Sequence, residues 1–504
     1  MAFRRGRWVA AGAIAVAAVV VAVAGSTSGS GTAGLSAAPL GVNVAPWDAV
    51  YAGPGGGTAS RLLKAAGIRE LRYGGGSWAD IYDWRTDTDI GNCLPDRATA
   101  SFTSECASTD PLGFARLAQR AAAIGADTLV TVNYGSGTPA LAAAWAASLT
   151  PGERASIRWE IGNESYGCWE VNNELAGPPA RYQGYRPGDA SAAGQYQTCP
   201  VTTQGPATGT RTLATSYASN ALRFMRAIRA ADPGAVIGVP WAFGSAVPGS
   251  AVADSGEWNS IVLRADRAYV GFVDAHYYPF SFTGSTGGAS PTDSQVLRAL
   301  RAIPALYAGI RAALSADDPG AAVVVGETAV STSPTTTVCT PVGAVFAAGD
   351  TLAWLAAGAR GVDWWDLNNY GDTGTACTHR DFGLLTSAAK PVPETPYYGY
   401  LLASHLAQPG ALLTTLATSD RADVLAYQAV LATGGRAVAF INLNTAAART
   451  VRYAVPPGLG GALRTWTYRA GDQDPANSTI TTSTAHAASA ITLPAESITI
   501  IETR

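Results

Sequence analysis

Two glutamates arrive at the ends of apolar runs: Glu164 in RWEIGNES (158–165) and Glu327 in AAVVVGETA (321–329). A carboxylate that leaves water at the end of a buried strand needs a partner or a shifted pKa. One such residue reads as a rim salt bridge; two, each with its own flank, read as a pair. Two carboxylates facing each other across a sugar-sized bowl are the apparatus of glycoside hydrolysis. At a separation of about 5 to 5.5 Å, one attacks the anomeric carbon and the other protonates the leaving oxygen, with net retention. On that reading Glu164 is the acid/base and Glu327 the nucleophile. Repulsion between them raises one pKa and supplies the acid. Capture of Glu327 as a glycosyl ester then removes its charge and lets Glu164 act as base on water.

Such a pair must be delivered by strands that end on one face. Eight short apolar runs can supply those strands, at 40–47, 68–76, 127–135, 157–165, 235–242, 273–280, 321–330 and 361–369. Between them lie stretches with apolar residues at three- and four-residue spacing, several closing on Gly or Asp-Pro-Gly. Alternation of strand and helix implies parallel strands, and eight such units close into a TIM barrel whose strand C-termini surround one bowl. The alternative is an open doubly wound sheet, but the first turn lacks a G-x-G-x-x-G phosphate fingerprint. Beyond about residue 408 the pattern changes to alternating strands with Gly-rich turns, which predicts a small antiparallel β-sandwich. The expected organisation is a signal peptide over 1–24, a flexible leader over 25–37, an α/β barrel over 38–407 and a C-terminal β-sandwich over 408–504.

The signal peptide is read from Arg4, Arg5 and Arg7, the apolar run 8–24, and Ala22-Val23-Ala24 as a small-residue cleavage site; an uncleaved single-span anchor is the alternative. Secretion is therefore expected, with no membrane attachment after cleavage. Export makes disulfides the natural use of the six cysteines. Sequence leaves every connectivity open, and adjacency suggests Cys93 with Cys106, Cys168 with Cys199, and Cys339 with Cys377. These pairs would lie in loops after strands two, four, seven and eight, walling the bowl. The four histidines are scattered, none at zinc-ligand spacing, so neither a metal nor a cofactor is expected. A net charge of −3 with 14% charged residues offers no field for a phosphate backbone, which excludes nucleic acid as a partner. The expected partner is an oligo- or polysaccharide; oligomeric state is left open.

WEIGNES, VVVGETA, LRYGGGSWADIYDW and DAHYYPF together resemble the clan A glycoside hydrolases, and among them the α-L-arabinofuranosidases and their relatives. The resemblance covers the whole barrel. It implies that Asn163 hydrogen-bonds a sugar 2-hydroxyl beside the acid/base Glu164, that Glu327 is the nucleophile, and that Arg72 sits near it. It also implies that His276 and Tyr278 form the strand-six His-x-Tyr, with the Tyr hydroxyl holding the nucleophile. Gly74 stands where the family carries proline. Trp365 and Asn368 close strand eight, where an aromatic face can stack on a sugar ring, and Trp364 should point the other way, into the wall. Asn133 at the end of strand three and Trp47 at the end of strand one are further candidates for the bowl. The substrate implied is an α-L-arabinofuranoside of cell-wall polysaccharide. Among the relatives are β-xylosidases and β-glucuronidases, and Arg380 is the one residue placed to hold a uronate. A non-catalytic carbohydrate-binding protein on a dead barrel is the rival of another class.

Overall fold

The computed structural model describes residues 34–89, 110–167, 170, 207–252, 254–280, 291–332, 335–368, 382–460, 463–469, 481–485 and 488–503. The segments expected to be a signal peptide and most of the leader, residues 1–33, lie outside the described residues. Ala33–Arg504 forms one compact unit. Leu35, at the end of the stretch read as a leader, exchanges backbone hydrogen bonds with Gly410 and Ala411. No helix among the described residues is long and apolar enough to cross a membrane.

Eight parallel strands close a barrel: β1 (Leu40–Val44), β2 (Glu70–Tyr73), β3 (Asp127–Val132), β4 (Ile157–Ile161), β5 (Val236–Trp241), β6 (Val270–Tyr277), β7 (Ala322–Thr328) and β8 (Gly361–Trp364). Each is followed by a helix on the outside, from α1 (Gly56–Ala65) through α2 (Phe114–Ile124), α3 (Pro139–Ser148), α4 (Ala207–Ala231), α5 (Ser255–Asp266), α6 (Ile303–Asp317) and α7 (Pro341–Ala357) to α8 (Thr395–Ala403). Alternation explains the wall. Val42, Leu71, Tyr73, Trp159, Ile161, Val273 and Val325 belong to the continuous apolar cluster shared with the helices, so their neighbours in sequence face inward.

The inward positions are unusually polar for a barrel interior, which branched aliphatics normally fill. Leu129, Phe272 and Val324 form a small apolar plug. At that level Glu70, Arg158 and Asp363 are also buried, with Arg158 and Glu70 ion-paired. One step towards the strand C-termini come Asn43, Arg72, Thr131, Glu160 and Asp274, again all buried.

Downstream of the barrel, β9 (Leu412–Thr415), β10 (Val424–Val430), β11 (Arg436–Asn442), β13 (Leu463–Tyr468), β14 (Thr481–Ala485) and β16 (Ser497–Thr503) build one antiparallel sheet in the order β9-β10-β11-β16-β13-β14. A two-stranded ladder of β12 (Arg449–Arg452) with β15 (Ala490–Leu493) completes the expected antiparallel module. Helix α7 is buried almost end to end, since it packs on the barrel and also against strands of this sheet.

Candidate active site

Arg72 organises the site. Its inward position on β2 faces Asn43 in register on β1, and its guanidinium is 1% exposed. Nη1 donates to Glu327 Oε1 at 2.7 Å and to Asn43 Oδ1 at 2.8 Å. Nη2 donates to Glu160 Oε2 at 2.9 Å and to Asn163 Oδ1 at 3.0 Å, and Nε lies 3.3 Å from Asp274. Burial alone would disfavour the charge; Glu160, Glu327 and Asp274 override it and hold the guanidinium protonated. Glu160 and Asp274 lie buried against it. Burial raises Glu160 to about 8 against the pull of Arg72. For Asp274 burial is outweighed by His276 and Arg72, which lower it.

Glu327 reaches this cluster through an irregularity in β7. Val323 and Val325 face the helices and Val324 faces the plug, so strict alternation would turn Glu327 outward. The pairing of β7 slips by one residue on both sides. Asp274 and His276 on β6 face Val324 and Glu327, while Val362 and Trp364 on β8 face Val325 and Thr328. One extra residue in β7 is a β-bulge, and it turns the carboxylate into the bowl. Gly326 makes room, because a Cβ there would stand 2.2 Å from Asp274 Oδ2. The carboxylate is fixed on both sides, by Arg72 on Oε1 and by the Tyr278 hydroxyl on Oε2 at 2.6 Å. Burial first, then the Glu327 charge, hold Tyr278 far above its usual range, so it is a hydroxyl donor.

Glu164 sits three residues beyond β4, 16% exposed at its side chain. Its backbone is left-handed, with φ 39°, a conformation costly for a non-glycine residue and typical of functional loops. Oε1 accepts from the Tyr166 hydroxyl at 3.1 Å and lies 3.0 Å from His276 Nδ1. The same Nδ1 is 3.4 Å from Glu327 Oε2. Thus one imidazole bridges both carboxylates, and one oxygen of each lies with Nδ1 in a group whose atoms are all within 4.8 Å of one another. Burial would lower the His276 pKa; Glu327, Asp274 and Glu164 more than reverse it and keep the ring cationic. The spacing would suit a cation, but the Arg72 guanidinium and the imidazolium already supply positive charge there.

Asn163, next to Glu164, is held from three directions. Arg72 donates to its Oδ1, its Nδ2 donates to Glu170 Oε1 at 2.9 Å, and its backbone N–H points at Asp80 Oδ1 at 3.4 Å.

The loop after β2 forms part of the rim. Gly74, Gly75 and Gly76 take φ of 139°, 73° and 64°, which glycine alone adopts without strain. A proline, fixed near about −65°, could not follow the path of Gly74, so the chain turns here by another route than the one the resemblance implied. The bare backbone also serves as a platform. A Cβ on Gly75 would meet the Trp47 ring at 2.5 Å and one on Gly76 the Trp365 ring at 2.8 Å. Trp47 also packs on Trp78, with centroids 4.6 Å apart. Trp47 and Trp365 are half-buried, which leaves aromatic surface at the mouth.

Asn133 does not join the cluster. Its Oδ1 accepts from the backbone of Ser136 and Gly137, and its Nδ2 donates to Tyr82 O and Ser136 Oγ. A strand-ending Asn shapes its own loop here, as Asn side chains readily do. Asn368 is buried and turned to Asp48. Trp364 does face the wall, its Nε1 donating to Phe382 O. Cys339 is disulfide-bonded; Cys93, Cys106, Cys168, Cys199 and Cys377, and with them all three pairings, lie outside the described residues, as does Arg380.

Sequence reasoning missed Asn43, Glu160, Asp274 and Glu170. The first three share the inward parity of Arg72, and a polar residue at every second place in an otherwise apolar strand was the available signal.

No protein-family model and no curated protein matches the chain. Solved structures do. An α-L-arabinofuranosidase from Thermotoga maritima, in complex with arabinose, is 15% identical with a TM-score of 0.65, covering 94% of this chain and 97% of its own. A family 51 α-L-arabinofuranosidase from Bifidobacterium longum is 16% identical with a TM-score of 0.66, covering 94% and 96%. A family 44 endoglucanase from Clostridium thermocellum is 14% identical with a TM-score of 0.58, covering 94% and 97%. At such identity the likeness is one of fold: a TIM barrel followed by an antiparallel β-module, as in these glycoside hydrolases.

Proposed function

We propose that this chain is a retaining glycoside hydrolase of the α-L-arabinofuranosidase type, acting on cell-wall polysaccharide. The observation that carries the reading is the approach of Glu164 and Glu327, whose facing oxygens lie within 4.8 Å across His276. So close an approach of their nearest oxygens supports carboxyl groups spaced for double displacement, about 5 to 5.5 Å apart, rather than the roughly 6.5 to 9.5 Å that leaves room for the water of an inverting enzyme.

Glu327 attacks the anomeric carbon, its orientation set by Arg72 and Tyr278, while Glu164 gives its proton to the leaving oxygen. Once the glycosyl ester forms, Glu164 takes a proton from water and the ester is hydrolysed. The His276 cation keeps the two carboxylates in contact with one donor. Asn163 is aimed at the sugar 2-hydroxyl, and Trp47 and Trp365 offer faces for the ring. The arabinofuranosidases of the same fold support the sugar assignment. Export by the N-terminal segment, with cysteine bridges holding the loops, completes the proposal.

The test is a panel of aryl glycosides run on the wild type, Glu164→Ala and Glu327→Ala. Turnover of the α-L-arabinofuranoside is expected, with a loss of about 10⁴-fold or more in Glu327→Ala. Glu164→Ala should lose most on poor leaving groups. Normal hydrolysis by both variants overturns the assignment. Complete inactivity of the wild type with retained polysaccharide binding would make the protein a binding module.

A further inference from the structure

Glu170 takes no part in the chemistry just described, yet it is 1% exposed and lies against the acid/base segment. Two backbone hydrogen bonds tie it back to that segment. The Gly167 N–H donates to Glu164 O and the Glu170 N–H to Gly167 O. Its Oε1 accepts from Asn163 Nδ2 and from Ser77 Oγ, each at 2.9 Å. Ser77 and Asp80 belong to one short turn, Gly76–Asp80, in the loop after β2. Asp80 receives the Asn163 backbone and Ser77, through Glu170, its side chain. The loop after β2 therefore clamps the loop after β4 at the residue preceding Glu164.

An amide has two ends. Arg72 can only donate, so its contact with Oδ1 settles which end of Asn163 faces the nucleophile side. The Nδ2 end must then find an acceptor, and Glu170 is that acceptor. We infer that Glu170 is a positioning residue for glycoside hydrolysis, which aims Asn163 at the sugar 2-hydroxyl through a Ser77–Glu170–Asn163 relay. This rests on the hydrolase reading above. Burial, then the Asp80 and Glu164 carboxylates, raise the Glu170 pKa well above the usual range. Gln keeps an acceptor oxygen where Oε1 stands, so a neutral amide can replace it.

The experiment pairs variants with substrates: 4-nitrophenyl α-L-arabinofuranoside and its 2-deoxy counterpart, or the pair built on whichever sugar the panel selects. Glu170→Met, which fills the site without an acceptor, should lower kcat/KM on the 2-hydroxy substrate by roughly 10- to 100-fold and on the 2-deoxy substrate by under about threefold. Glu170→Gln should recover most of that loss. Should Glu170→Met not fold, Ser77→Ala carries the test, with a smaller loss of the same 2-hydroxyl dependence. Asn163→Ala is the reference. If its loss is not concentrated on the 2-hydroxy substrate, the reading of Asn163 fails. If it is, but Glu170→Met or Ser77→Ala slows both substrates equally or neither, the relay is overturned.

Discussion

The barrel holds two ionic layers of similar composition and opposite fate. On the floor, Arg158 is ion-paired with Glu70 near Asp363, all of it sealed beside the Leu129–Phe272–Val324 plug. At the mouth, Arg72 is surrounded by Glu160, Asp274 and Glu327, and the network continues through His276 to Glu164, which meets solvent. Burial and pairing are common to both, so neither marks function. Two other features separate them. At the mouth a bulge re-aims one carboxylate, and another sits on a left-handed residue. The floor has the chemistry of a structural ion pair. Burial raises Asp363 to about 8 although Arg158 pulls the other way, and burial lowers Arg158 to about 10.

This contrast can be broken experimentally. Arg72→Met should have the largest effect: about 10³-fold or more in kcat, with a stability loss of about 3 to 5 kcal/mol from stranded carboxylates. Kinetics and thermal melts on one sample check both. Arg158→Met should cost a similar amount of stability and leave kcat within a few-fold of wild type. Adding Glu70→Leu should restore much of the melting temperature, because an apolar pair replaces a buried ionic one at little cost. A large loss of kcat in Arg158→Met would erase the distinction between the layers. Tyr278→Phe removes one hydrogen bond to Glu327 and should slow turnover by about 10- to 100-fold with melting little changed. The smallest effect concerns pH. Asp363 binds its proton more tightly folded than unfolded, so its contribution to stability is complete below the ordinary carboxylate range and is lost as pH rises through about 8. Asp363→Asn should flatten that part of the fall in melting temperature between about pH 4 and 8.

Much of this architecture was legible beforehand, for identifiable reasons. Parallel strands buried on both faces read as apolar runs, so all eight barrel strands fall where those runs lie. The runs at 157–165 and 361–369 overshoot strands that stop at Ile161 and Trp364, because rim residues such as Asn163 and Trp365 continue the apolar-looking segment without continuing the ladder. Glu164 and Glu327 were visible because a strand end singles out a polar residue, whereas Arg72, His276 and Tyr278 came from the resemblance carried by LRYGGGSWADIYDW and DAHYYPF. Glu160 and Asp274 were not, since a mid-strand acid looks like an interruption until its inward parity is known. Asn133 shows the converse error: position at a strand end does not reveal that a side chain is consumed by its own loop. Glu170 lies several residues past the strand, and nothing in the sequence shows the hydrogen bonds that tie it to Gly167 and Asn163.

The bulge in β7 means that reading frame and reactivity are set independently. The same residues without the bulge would pair in an uninterrupted ladder with both neighbours and point Glu327 at the helical shell. Such a strand would be more regular than the observed one and, on the proposed mechanism, inactive, so the irregularity is where this scaffold stops being generic.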